Sequence, residues 1–81
     1  MNKSPDFQLA LTVDASGLSC PMPTLRAKQG LLKIESGDLL ELLSTDPATQ
    51  HDIPAFCQQQ RLSLEHQEAV NDSLWRFIIR K

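Results

Sequence analysis

The chain has 81 residues, 41% of them apolar, with 8 Lys and Arg against 10 Asp and Glu, a formal net charge of −2 and a pI near 5.5. That length is one domain, burying roughly 60–65% of the surface its unfolded chain exposes, and it excludes a cofactor domain joined to a substrate domain. The acidic balance argues against direct nucleic-acid binding, whose footprint is a domain pI above about 9. Two cysteines are too few for a small secreted disulfide framework, so a reducing cytoplasm is the expected compartment.

Residues 1–7 are expected to form a flexible N-terminus without the apolar core of a signal peptide, ahead of a single domain at 8–81. No apolar run approaches the ~18 residues of a membrane span. Leu9, Leu11 and Val13 alternate with Gln8, Ala10, Thr12 and Asp14, the period of a strand with one buried face. A small-residue loop, Ala15-Ser16-Gly17-Leu18-Ser19, follows. Pro21 and Pro23 place a helix start at Cys20 or Pro21, because a first helical turn tolerates missing N–H groups. The helix pattern runs to about Glu35, with Ala27, Leu31 and Ile34 inward and Leu25 and Leu32 widening that face. Gly30 predicts either tight packing or fraying, and Ser36-Gly37 a helix stop.

Leu39, Leu40, Leu42 and Leu43 around Glu41 predict a central strand, apolar on both sides. Thr45-Asp46-Pro47 opens a second helix, with Asp46 as its cap and Pro47 at the first helical position. Ile53, Phe56 and Cys57 share its inner face, and Pro54 predicts a kink or late restart. Leu62 and Leu64 begin a third strand, Asn71-Asp72-Ser73 forms a turn, and Leu74 to Arg80 is the last strand. In it Trp75, Phe77 and Ile79 face one way, and Arg76, Ile78 and Arg80 the other. The order β-α-β-α-β-β predicts an α+β fold, a two-layer α/β sandwich with two helices on one face of a four-stranded mixed sheet. Leu39 and Leu43 then leave room for an apolar patch on the uncovered face, the mark of a non-catalytic interaction module.

The first two strands, joined by a helix, should run parallel, so both helix N-termini emerge at one sheet edge. Cys20 stands at one and Asp46 at the other. A helix N-terminus lowers a thiol pKa and favours the reactive thiolate, and Gly17, Ser16 and Ser19 leave the sulfur accessible. Position alone leaves two readings of Cys20 open, a reactive thiol or a small packed hydrophobe at a loop–helix junction. Cys57, beside Ile53 and Phe56, reads as buried and inert. Cys20, His51, Cys57 and His66 lack the paired spacing of a zinc site. Arg26 and Lys28 suit steering of an acidic partner, while Arg76, Arg80 and Lys81 read as a docking patch or a solvated strand end.

Gly17-Leu18-Ser19-Cys20-Pro21-Met22-Pro23 resembles the Cys-Pro-x-Pro hallmark of the TusA-like (SirA-like) sulfur-carrier family. The resemblance continues through Asp14-Ala15, Ser36-Gly37-Asp38, Asp46-Pro47-Ala48-Thr49 and Asp52-Ile53-Pro54-Ala55-Phe56-Cys57, from Leu9 to Arg80. It implies a cytoplasmic, monomeric carrier rather than a stand-alone turnover enzyme. Sulfur would ride as a transient persulfide on Cys20, with Gly17, Pro21, Pro23 and Asp46 as supporting motif residues and no cofactor or metal. The implied partners are a cysteine desulfurase or other sulfur donor and a downstream relay acceptor, often toward 2-thiouridine in tRNA. Molybdenum cofactor formation, sulfur oxidation and selenium metabolism are other destinations in the family. Ser19 and Met22 stand where the thiouridine branch often has Arg and an acid, and the second helix ends without the Gly many members have there.

Overall fold

The computed structural model describes residues 8–81, so the expected flexible segment at 1–7 lies outside the described residues. The elements are β1 (Leu9–Ala15), α1 (Met22–Leu31), β2 (Leu39–Ser44), α2 (Thr49–Gln60), β3 (Ser63–Asn71) and β4 (Leu74–Arg80). The strands lie in the order β1-β2-β4-β3, with β1 and β2 parallel and the other two pairings antiparallel. Both helices cover one face, as their order in the sequence predicts. Ala27 and Leu31 of α1 and Ile53, Phe56 and Cys57 of α2 close on Leu40, Leu42, Phe77 and Ile79 of the two central strands.

Gly30 is the point of closest approach. A Cβ there would stand 2.8 Å from both Leu40 Cδ1 and Val13 Cγ2, so its absence lets α1 settle onto β1 and β2. Of the two outcomes Gly30 predicted, tight packing is the one found.

The helix bounds differ from the sequence pattern for local reasons. α1 stops at Leu31 rather than about Glu35, because the Leu32 and Lys33 amides donate to Gln29 and Gly30 in a tighter turn. The Lys81 ammonium then takes up the Leu31 and Ile34 carbonyls at 2.7 and 2.8 Å. Ile34 is buried from that turn, whereas Leu25 and Leu32 are 43% and 79% exposed instead of widening the inner face. Gly37, at φ +94°, therefore serves the turn into β2 and is not the helix stop.

α2 begins at Thr49, later than Pro47, because Asp46 and Pro47 sit in a turn in which Thr49 donates back to the Asp46 carbonyl. Pro54 lies inside an unbroken helix. Its ring leaves the Gln50 carbonyl without a helical donor, and Gln67 Nε2 of β3 reaches that oxygen at 3.4 Å. The helix ends in a double turn: Leu62 N–H donates to Cys57 and Arg61 N–H to Gln58, with Arg61 left-handed at φ +57°.

On the uncovered face Leu39 is buried and Leu43 half-buried, so among the described residues neither is a fully exposed leucine. Ile78 is buried as well, and Arg76 bridges Glu41 and Glu68, with His66 against Glu68 at 2.7 Å. Arg80 pairs with Glu65 at 3.3 Å and donates to the Gly37 carbonyl. Together with the capping role of Lys81, this makes the cations at the end of the chain structural rather than a docking patch.

Candidate functional site

Two loops meet at the edge where the parallel strands β1 and β2 give way to their helices. The first, between β1 and α1, turns at Gly17, which adopts φ +81°, a region open to Gly and strained for other residues. The Gly17 amide donates to Thr45 Oγ1 at 2.8 Å, and the Cys20 amide donates to Asp46 Oδ2 at 2.6 Å. These two bonds stitch the loops together. Asp46 has a double task, because its other oxygen accepts from the Ala48 amide at 3.0 Å and holds the turn that starts α2. Ser44, fully buried, accepts from the Asp46 amide and anchors the turn to the sheet.

Pro21 is exposed, caps α1 and follows Cys20 through a cis peptide bond, while Pro23 is buried in the first turn. All five residues of the expected site, Gly17, Cys20, Pro21, Pro23 and Asp46, thus belong to this edge. The Cys20 thiol is exposed, the accessible position that a reaction with another macromolecule requires. A shallow groove runs from it between Pro21 and Thr24 on one side and Asp52, Ala55 and Gln59 on the other.

The electrostatics reverse the sequence expectation. Cys20 lies outside α1, whose first residue is Met22, and its sulfur turns toward α2, where Sγ donates to Asp52 Oδ2 at 3.0 Å. The hydrogen bond to Asp52 comes first in raising the Cys20 pKa, followed by desolvation and by the negative charges of Asp52 and Asp46. These groups act against the thiolate that a helix N-terminus would favour.

Asp52 is the site residue that sequence reasoning missed. Its signal was present, an acid in the first turn of the helix that shares an edge with the motif cysteine. Cys57 is 2% exposed, and burial pushes its thiol up to about 11, so the two cysteines have opposite environments. Among the described residues no group of three or more His, Cys, Asp and Glu is gathered to hold a metal, and no helix is long and apolar enough to cross a membrane.

The fold and the chain both have known counterparts. A crystal structure of a SirA-like protein from Desulfitobacterium hafniense superposes with a TM-score of 0.76 at 21% identity, over 86% of this chain and 95% of that one. A protein of Archaeoglobus fulgidus named "Putative sulfur carrier protein" is 35% identical over 84% of this chain and 88% of its own length. Sulfur carrier protein TusA of Pseudomonas putida strain GB-1 is 42% identical over 52 residues, 64% of this chain. That match spans 65% of the Pseudomonas protein, as does the match to a Neisseria meningitidis relative at 48% identity. The family described as Sulfurtransferase TusA matches residues 11–81, which takes in every element from Leu11 onward. The chain belongs to the TusA sulfurtransferase family.

Proposed function

We propose that this protein is a sulfur carrier that relays persulfide sulfur on Cys20 between two larger partners. The observation that carries the reading is the exposed thiol, set where two stitched loops present it at the edge of the molecule. Family membership and the names of the relatives support the same role. In the first step the Cys20 S–H bond breaks, its proton passes to solvent, and the thiolate attacks the outer sulfur of a donor persulfide. The donor's S–S bond breaks, the donor leaves as a thiolate, and Cys20 becomes Cys–S–SH. In the second step an acceptor thiolate takes that outer sulfur, and Cys20 leaves as a thiolate and is reprotonated. The relay needs nothing beyond the transient persulfide.

A cysteine desulfurase is the proposed donor and a relay protein the proposed acceptor, with tRNA thiolation one destination. The outer side of α1 supports docking by such partners. Met22, Leu25 and Leu32 are exposed there, Arg26 and Lys28 lie on the same helix, and α1 has no acidic residue. An apolar surface rimmed by carboxylates would complement it. The acidic net charge favours contact with proteins over contact with RNA.

Incubation with a cysteine desulfurase and cysteine should add the mass of one sulfur atom to the intact protein. Cys20→Ser should abolish the gain and Cys57→Ala should keep it. Equal gain by Cys20→Ser would refute the assignment.

A further inference from the structure

Asp52 reaches out of the first turn of α2 and accepts a hydrogen bond from Cys20 Sγ at 3.0 Å. The charged groups acting on that sulfur are two carboxylates, Asp52 from α2 and Asp46 from the β2–α2 turn. Around the groove the α1 cap Pro21 and Thr24 of α1 stand on one side, and α2 adds Ala55, Phe56 and Gln59, none of them charged. Cys20 is exposed, so this contact is not imposed by core packing.

Resting on the reading of Cys20 as the carrier, we propose that Asp52 is the positioning residue of the transfer, its carboxylate fixing the direction of the Cys20 sulfhydryl and keeping the unloaded carrier in the thiol form. A thiol can donate to a carboxylate at this distance, whereas a thiolate has nothing to donate and faces an oxygen of like charge. The raised pKa of Cys20 has the same direction and the same leading cause. Thiolates are the species that electrophiles and oxidants attack, so a carrier held as a thiol is protected between partners. During transfer the proton leaves to solvent, and Asp52 takes no part in bond making.

The test is the rate of alkylation by iodoacetamide across pH, using the full chain with Cys57→Ala so that one thiol remains. The midpoint should lie above the value of about 8.5 of a free cysteine. Asp52→Asn and Asp52→Ala should both lower it. Each unit of lowering should speed alkylation at pH 7 by about three-fold, because the tenfold gain in thiolate is partly offset by weaker nucleophilicity. Glu35→Gln removes the same formal charge outside the site and should leave the midpoint in place. Circular dichroism identifies which variants are folded. An unchanged midpoint in folded Asp52→Asn and Asp52→Ala overturns the proposal. So does a wild-type midpoint at or below that of the urea-unfolded chain, a comparison that needs no variant. Sulfur loading is read separately by mass. If Cys20 never gains sulfur the carrier reading fails, while the alkylation profile still decides whether Asp52 holds the thiol.

Discussion

Cys20 and Cys57 share a functional group and differ in everything around it. Cys57 sits in the core cluster with Ile53 and Phe56, and burial drives its thiol up to about 11. Cys20 is open to solvent and is tuned by Asp52 and Asp46. At pH 8 the native protein should therefore take up one equivalent of an alkylating reagent, and the second only in denaturant. Rapid labelling of both thiols in the native state would contradict the burial of Cys57. Position left Cys20 open between a reactive thiol and a small packed one, while the burial of Cys57 was legible from Ile53 and Phe56 beside it. The sign of the electrostatic effect at Cys20 was not. It depends on Asp52, 32 residues further along, which the β1–α1–β2–α2 crossover brings across the groove.

At the scale of elements, two backbone positions should respond oppositely to exchange of glycine. Gly30→Ala improves helix propensity by about 1 kcal/mol, yet its methyl meets the branched Val13 and the fully buried Leu40 at 2.8 Å. Overpacking of this kind costs about 1–3 kcal/mol, so the net effect should be destabilising by about 1 kcal/mol. Arg61→Gly should stabilise by about 1 kcal/mol, because a left-handed residue with a Cβ ends α2 there. Urea midpoints of the two variants test both signs, and a rise for Gly30→Ala or a fall for Arg61→Gly would contradict the packing described. Element type and order were readable from hydrophobic period and from the prolines. The helix ends were not, because the tight turn after Leu31, the Asp46–Thr49 turn and the left-handed Arg61 set them, and none of these shows in the hydrophobic period. Equally hidden were the distant donors, the Lys81 ammonium to the Leu31 and Ile34 carbonyls and Gln67 Nε2 to the Gln50 carbonyl that Pro54 leaves open.

Across the whole molecule, stability should fall at both ends of the pH scale, for different reasons. On the uncovered face Glu68 is held below the usual carboxylate range by His66 and then Arg76, and Glu65 by Ser63 and then Arg80. Lowered carboxylate pKa values contribute stability that is present above about pH 4.3, the unfolded value, and lost as pH falls through the folded values. These groups are solvent-screened, so the acid-side contribution of each pair should be small. Cys57 acts at the alkaline end. Its thiol ionises from about pH 8.5 when unfolded but only near about 11 when folded, so its contribution is present below pH 8.5 and lost above it. Urea titrations should show a plateau between about pH 5 and 8, with an alkaline decline that Cys57→Ala reduces. An alkaline decline that survives Cys57→Ala undiminished would contradict this assignment. The uncovered face also shows where a reading by strand period falls short. Leu39 and Leu43 do share one side, but the bridge made by Arg76, which stands opposite Leu43, joins residues from three strands.

The central claim is that Cys20 holds the sulfur, and its most direct measurement is peptide-level mass spectrometry of the loaded protein. After loading by a cysteine desulfurase and alkylation of the persulfide, the additional sulfur should be found on the peptide containing Cys20. It should be lost when an acceptor thiol is supplied before alkylation. Extra sulfur on the Cys57 peptide, or none on the Cys20 peptide under conditions in which the desulfurase is active, would contradict the account.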